Sequence, residues 1–298
     1  MANLKDMRLR IVSVKSTQQV TRAMKMVSAA KLRKAQDAII QIRPYAGKLH
    51  DILVNLIDQL DSADFDNKYA EHKDTQKILI VAITSNRGLC GGFNSNVVKK
   101  IEELVQTTYA SHYKRGTVDI LAIGKKGVDG LKAKNIQVTN TLHQLFDGLE
   151  YSTAEAVAQG LMDAFSEGQY DRIDLVYNQF RNAAIQNLVV EQFLPVEIKV
   201  HGTETSEANR YFNDYILEPG VLEIMKTIIP KSLKIQFYKS ILDSVASEHG
   251  ARMTAMHKAT DNASELIRDL NLQYNKARQS TITGEILEIV SGANALNG

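Results

Sequence analysis

Residues 4–43, LKDMRLRIVSVKSTQQVTRAMKMVSAAKLRKAQDAIIQIR, contain neither proline nor glycine. A stretch this long without a breaker reads as one helix, and its apolar spacing decides what kind. Leu4, Met7, Ile11 and Val14 step by three, four and three, the spacing of a helix that packs along a partner helix. The strict register then passes through Gln18, Thr21, Lys25 and Ser28, which are polar. Val20, Met24 and Val27 form a rotated stripe, and Leu32, Ala35, Ile39 and Ile42 recover the first register. A two-stranded zipper needs no such rotation, so different faces of this helix are expected to meet different partners. Pro44 is expected to kink the helix, which resumes with Leu49, Ile52, Leu53, Leu56, Ile57 and Leu60.

The other end of the chain answers this pattern. Residues 231–298 lack proline, and no glycine falls between Ala251 and Thr283. Ala259, Ala263, Leu266, Leu270 and Ala277 step by four, three, four and seven. The expected seam pairs Ala259, Ala263, Leu266 and Leu270 with Leu4, Ile11 and Val14, and its small residues let two helix axes approach closely. Farther on, Ile282, Ile286, Leu287, Ile289 and Val290 spread apolar side chains around most of the helix. A helix apolar on all sides must be enclosed by something. A single helix over residues 221–296 would be about 110 Å long at 1.5 Å per residue. No globule of 298 residues buries that length, so part of it is expected to project.

Between the two ends the pattern changes. Lys77–Thr84, KILIVAIT, is a continuous apolar strand, followed by a glycine-rich loop and a helix over Asn94–Tyr109. Val118–Ile123 reads as a second strand, Lys125–Lys134 as a short helix and Ile136–Thr139 as a third strand. Thr153–Gly168 is a helix, after which Ile173–Phe180 and Leu188–Val196 can pair as a hairpin. Alternating elements with continuous apolar strands imply a mainly parallel sheet covered on both faces. Asp61–Thr75 and His201–Asn213 are polar and read as linkers. The expected fold is therefore a Rossmann-like α/β domain (75–200) inserted between two helices (1–60 and 214–296) that form a long antiparallel coiled coil.

Charge is uneven. Residues 1–50 carry eleven Lys and Arg against Asp6 and Asp37, or +9, while the whole chain carries only +2, leaving −7 on the remainder. A helix this basic points to an acidic partner: nucleic acid, a membrane surface or an acidic protein loop. Lys25, Lys31 and Arg33 are its candidate contacts. No apolar run approaches the roughly 20 residues that span a bilayer, and the start MANLKDMRLR lacks the apolar core of a signal peptide, so the chain is expected to stay in the compartment where it is made. Cys90 is the only cysteine, which excludes an intramolecular disulfide and fits a reducing cytoplasm. The seven histidines show no metal-ligand spacing, no cofactor motif is present, and no nucleophile–base or paired-carboxylate constellation stands out. The loop Ser85–Asn94, SNRGLCGGFN, sits where phosphates often bind, between a strand and a helix. It matches neither G-x-G-x-x-G nor G-x-x-x-x-G-K-[ST] and reads as a tight turn, with an anion site as the alternative. Gly124-Lys125-Lys126-Gly127 is a weaker signal of the same kind.

Two longer segments are more specific. Residues 10–36, RIVSVKSTQQVTRAMKMVSAAKLRKAQ, resemble the N-terminal signature of the gamma subunit of F-type ATP synthases. Residues 251–296, ARMTAMHKATDNASELIRDLNLQYNKARQSTITGEILEIVSGANAL, resemble its C-terminal signature, and NRGLCGGFN also matches. The resemblance covers the whole chain.

It implies a non-catalytic shaft standing inside a ring of three alpha and three beta subunits, with the central domain outside the ring against the epsilon subunit and the membrane ring of c subunits. Met24 and Lys25 match positions facing the acidic loop of beta; Arg252, Gln279 and Thr283 match positions of the C-terminal helix in contact with the catalytic ring. The apolar tip around Ile286, Ile289 and Val290 would turn in a sleeve of that ring. The paired cysteines of the redox-regulated chloroplast form are missing, which favours a bacterial protein on the cytoplasmic face of the inner membrane. Two readings from other classes remain: a nucleotide-binding α/β protein with helical extensions, and a nucleic-acid-binding coiled coil. Against the latter, the complementary helix lies in the same chain rather than in a parallel dimer.

Overall fold

Ile78–Ile83 (β1) is buried at every position, which a strand achieves only when both faces of its sheet are covered. The computed structural model describes residues 4–58, 68–69, 75–146, 150–196, 218 and 220–296. They form α1 (Leu4–Asp58), β1, α2 (Phe93–Gln106), α3 (Ala110–Lys114), β2 (Val118–Ile123), α4 (Lys125–Ala133), β3 (Asn140–Leu142), α5 (Tyr151–Ser166), β4 (Arg172–Phe180), β5 (Gln186–Leu194) and α6 (Val221–Leu296). The expected linkers fall outside the described residues apart from Lys68, Tyr69 and Thr75, as do the side chains expected to continue α1 from Leu53 to Leu60.

The chain divides into two compact units, Ala30–Ala251 and a second made of Met1–Ala29 with Arg252–Gly298. In the first, the sheet order is β3-β2-β1-β4-β5. β1 runs parallel to β2 and β4, β2 runs parallel to β3, and β5 is antiparallel to β4, forming the hairpin that the sequence implies. The third strand lies at Asn140–Leu142, one residue past the expected Ile136–Thr139, whose Ile136 is buried in the helix-facing core instead. Alternate residues of the strands serve opposite faces. Ile78, Ile80, Ala82, Ile120 and Val176 pack under α2 through Val97, Val98 and Ile101, and under α4 through Leu131. Leu79, Val81, Ile83, Leu121 and Leu175 pack under α5 through Ala158, Leu161 and Met162.

The same face is completed by α6. Met225, Ile229, Leu233, Phe237 and Ile241 recur every four residues and join this core. The whole of 214–296 was expected to serve the coiled coil, but these turns belong to the sheet, because a ridge of large residues at i+4 fits a sheet face better than a narrow helical seam. Pro44 lies inside α1 without ending it; a proline there removes one hydrogen bond, and the exposed turn tolerates the loss.

Close approach at one point holds the first two strands together. Thr84 Oγ1 donates to the Ile123 carbonyl at 2.9 Å and accepts the Gly127 N–H at 2.9 Å. A Cβ on Gly127 would sit 2.5 Å from that hydroxyl. A Cβ on Gly124, whose φ is +100°, would sit 2.4 Å from the Thr84 carbonyl oxygen.

In the second unit, α1 and α6 run antiparallel. Gln18 Nε2 donates to Ser264 Oγ at 2.7 Å, and Thr21 Oγ1 meets Thr260 Oγ1 at 2.8 Å, so the index rises on one helix as it falls on the other. By that alignment Ile11 is level with Leu270, and both are buried. Ala263 is buried, while Leu4, Val14 and Ala259 are half-buried. Leu266, expected at the seam, is 40 % exposed. The inward positions of α6 are Met256, Thr260, Ala263, Ile267 and Leu270, a four-three-four-three series. Starting the count on Ala259 lands one residue off at Leu266, and the two series coincide only at Ala263 and Leu270. Thr21 and Ser28 of the polar register are buried, so the seam itself is polar at its middle.

Two outcomes follow for stability. Ala263→Leu should overpack the seam at about 1–3 kcal/mol, whereas Leu266→Ala should change stability by less than about 1 kcal/mol; urea denaturation of the purified chain distinguishes them, and equal effects would mean the wrong inward series. Gly124→Ala should cost about 2–4 kcal/mol through its left-handed φ and the clash with Thr84. Gly160→Ala, in α5 with nothing within 4 Å of the added Cβ, is the matched control and should be neutral or stabilising by about 1 kcal/mol. A Gly124→Ala chain as stable as that control would refute the packing argument.

Candidate functional site

The crevice most apt to hold a ligand in such a sheet lies where the strand order reverses, at the carboxyl ends of β1 and β4. Here it is filled by the chain itself. Asn94 Oδ1 accepts the Ser85 N–H at 2.9 Å, and Asn94 Nδ2 donates to Ser85 Oγ at 2.8 Å and Cys90 Sγ at 3.2 Å. Ser85 Oγ donates in turn to the Arg87 carbonyl at 2.6 Å. Cys90 is buried within this turn, and Leu89 and Gly91 take the positive φ angles that close it. The Gly124–Gly127 segment is equally committed. The N–H groups of Gly124, Lys125, Lys126 and Gly127 donate to the Leu142 carbonyl, Asn86 Oδ1, the Ser85 carbonyl and Thr84 Oγ1. At Gly124–Gly127 an anion would have to displace protein acceptors, and the Ser85–Asn94 turn is closed by its own side chains.

The most buried charge gives no catalytic pair either. Asp174 on β4 accepts hydrogen bonds from Tyr109 Oη and from Arg172 Nε, the latter at 3.0 Å. Burial first, then the hydrogen bond and charge of Asp174, push the Tyr109 hydroxyl well above the usual phenol range. This is a satisfied ion pair under α2. An open recess lined by Lys77, Gly116, Thr117, Asp119, Gln169 and Tyr170 lies at the amino ends of the strands, opposite the reversal point. Among the described residues no cluster of His, Cys, Asp or Glu could hold a metal ion.

What the chain does expose is apolar helix surface. Leu9, Val20 and Val27 of α1 are all more than half exposed. At 100° per residue they fall on one line, on the side of the helix opposite Ile11 and Gln18. Val12 and Met26 widen that surface. Only Val20 and Val27 were singled out from the sequence; Leu9 and Val12 share their exposure but look like neighbours of the seam stripe until the inward face is known. Met24 and Lys25 are half-buried, and Lys31 and Arg33 are exposed.

On α6, Gln279 and Thr283 are exposed, Thr283 Oγ1 donating to the Gln279 carbonyl at 2.9 Å. Ile282, Ile286, Leu287, Ile289 and Val290 are all exposed, Ile289 to 71 %. The alignment of the seam places Leu4 level with about residue 277, so these tip residues continue past the described part of α1. Leu272 is exposed as well and carried no signal of its own in the sequence. Arg252, expected among the contact positions, is buried to 7 % exposure in this unit, level with about Ala29. Large exposed apolar patches mark interaction surfaces, and here two long helices carry them.

Comparison with known proteins agrees across the whole length. The family model for ATP synthase matches residues 3–296. The ATP synthase gamma chain of Christiangramia forsetii is 54 % identical over 298 residues, covering all of both chains. That of Flavobacterium johnsoniae is 55 % identical over 298 residues, again covering both completely. Among solved structures, a chain of the Euglena gracilis mitochondrial ATP synthase superposes with a TM-score of 0.68 at 20 % identity, over 98 % of this chain and 94 % of that one. A chain from the central stalk and c ring of the Tetrahymena thermophila enzyme gives 0.57 at 24 % identity, over 80 % and 99 %. These two likenesses concern the fold, a coiled coil of terminal helices with an inserted α/β domain. With bacterial relatives identical at more than half of all positions from end to end, the chain belongs to the family of ATP synthase gamma chains.

Proposed function

We propose that this chain is the central rotor shaft of a rotary, proton-coupled F-type ATP synthase, a subunit with no catalytic site of its own. The observation that carries the reading is the apolar surface turned outward on both terminal helices, at Leu9, Val20 and Val27 on α1 and from Ile282 to Val290 on α6. Side chains of this kind are costly in water, at about 25 cal/mol per Å² of apolar area. A ring of alpha and beta subunits, three of each, would cover them. Identity above one half to bacterial ATP synthase gamma chains supports the same assignment.

The mechanism asks no chemistry of the shaft. Its two helices differ in sequence, so the face turned toward each of three catalytic subunits is different. Each contact favours one conformation of the subunit it touches, and with it one nucleotide affinity. Turning the shaft changes which subunit is favoured; proton flow through a membrane ring of c subunits would supply the turning, and ATP hydrolysis would reverse it. Epsilon and the c ring are the partners of the α/β domain in this reading. Among the described residues no helix is long and apolar enough to cross a membrane, so attachment to the cytoplasmic face of the bacterial inner membrane would be peripheral.

Met24 and Lys25, with Lys31 and Arg33, are the proposed contacts to an acidic loop of beta, and Arg252, Gln279 and Thr283 lie on the helix that meets the ring. Purification through a tag on this chain should recover alpha and beta together; recovery of neither would sink the assignment. Reversing Lys25, Lys31 and Arg33 to Glu should weaken assembly or the coupling of hydrolysis to proton pumping. An exposed charge contributes only about 0–1 kcal/mol, so single reversals should be mild and the triple reversal visible in pumping by inverted vesicles. Normal assembly and pumping in the triple variant would remove the acidic partner from the proposal.

A further inference from the structure

Within residues 30–251, α6 is joined to the end of the β4–β5 hairpin by a row of polar and small side chains. Gln236 Nε2 donates to Glu191 Oε1 at 2.7 Å, and Ser247 Oγ donates to the Asn178 carbonyl at 2.9 Å. Gly250 lies against Ala183, whose backbone would be 3.2 Å from an added Cβ. Between them stands Asp243, whose carboxylate accepts the backbone N–H of Phe180. The neighbouring contacts are complete, but this one is not. Asp243 is 1 % exposed, and its Oδ1 has no hydrogen-bond partner among the described residues.

The groups facing it come from every side. Arg43 on α1 and Lys239 one turn earlier on α6 favour its charge; Glu191 on β5 opposes it, and Tyr177 on β4 lies within its field. Burial outweighs the two cations, and the carboxyl is pushed up to about 6. Of the two facing carboxyls, Glu191 already accepts a hydrogen bond at each oxygen, from Tyr177 Oη at 2.6 Å and from Gln236. On Asp243 Oδ1 a proton displaces no hydrogen bond.

We propose that Asp243 makes the contact between α6 and the β4–β5 hairpin sensitive to pH: its carboxyl is neutral in mild acid, and near neutrality the contact holds a buried charge that Arg43 and Lys239 offset only in part. The folded state holds this proton more tightly than the unfolded chain, where an aspartate titrates near about 4. The stabilisation is therefore whole below that value and is lost as the pH rises through about 6. The device would tie the firmness of the α6–hairpin contact to the proton activity around it.

The experiment compares the full chain with Asp243→Asn by urea unfolding between pH 4.5 and 7.5. Asparagine keeps the shape and cannot ionise. The wild-type unfolding constant should rise relative to the variant's by about 25-fold across that range, as expected for a carboxyl that titrates at about 4 unfolded and about 6 folded. At pH 7.5 the variant should be the more stable of the two. Subtracting the variant removes the histidines from the comparison. A difference that stays constant with pH overturns the proposal. Should Asp243→Asn fail to fold, Asp243→Ser takes its place in the same urea series, and a difference from wild type that stays constant with pH overturns the proposal. In Arg43→Gln, which removes a cation favouring the charge, the transition should move to higher pH; movement to lower pH or none overturns the electrostatic assignment.

Discussion

Thr21 and Thr260 meet at 2.8 Å inside the interface of the two helices, where both are buried. One hydroxyl donates across the seam and the other to its own helix, since Thr260 can reach the Met256 carbonyl at 2.7 Å and Thr21 the Gln18 carbonyl at 3.0 Å. Gln18 and Ser264 add a second cross-seam bond one turn away. A seam of leucines can slide by a heptad at modest cost, but these two bonds are satisfied together in only one alignment. A slip would leave each threonine hydroxyl only its own helix's carbonyl and lose both cross-seam bonds, at about 0.5–1.5 kcal/mol each. The polar register therefore does for this pair what a single asparagine does in a zipper. It places Ile11 level with Leu270, sets how far α6 continues past α1, and turns Leu9, Val20 and Val27 outward.

A second consequence follows for α6, which must satisfy two kinds of partner within one unbroken helix. Against the sheet it offers Met225, Ile229, Leu233, Phe237 and Ile241, large residues in an i+4 row. Beyond residue 251 it offers Met256, Thr260, Ala263, Ile267 and Leu270, in which the small and hydroxyl-bearing residues allow a close helix–helix approach. The row drifts around the helix and the heptad does not, so the buried face rotates along the length. Between the two patterns lie Asp243, Ser244 and Ser247, all buried, beside the apolar Leu242 and Ala246. Polar contacts to β4 and β5 take over there, and that is where a carboxylate was left with an unpartnered oxygen.

Much of this was legible before any coordinates. KILIVAIT is apolar at both strand parities, and only a strand covered on two faces has that composition. The crowding of glycine and β-rich segments between residues 77 and 200 separated the α/β part from the helical ends. The failures have physical reasons. Met225 to Ile241 recur at helical spacing, and spacing alone does not say whether a helix faces a sheet or another helix. Leu266 entered the seam because the count began on Ala259 and stepped four and three, yet Ile267 holds the inward position. Thr21 and Ser28 looked like a break in the register when they were the register, because a close seam prefers small hydroxyls to large aliphatics. Asp243 gave no signal at all; its burial depends on where α6 crosses the hairpin, and that is a tertiary fact.

The same domain illustrates how a fold built for ligands can decline them. A doubly wound sheet offers its backbone N–H groups at the strand–helix turns, and an empty turn of that kind attracts phosphate. In this chain the first-turn donors of α4 are taken by Leu142, Asn86, Ser85 and Thr84, and Asn94 fills the space over β1. Gly124 and Gly127 are required because α4 must come close enough for Thr84 to reach them, and not because a pyrophosphate must. Glycines after a strand thus carry two meanings that sequence cannot separate: room for a ligand, or room for the next piece of chain. The distinguishing feature is the asparagine, since Asn94 and Asn86 supply the acceptors that a bound anion would otherwise provide. The first turn of α4 is thus spent on the cohesion of the domain itself.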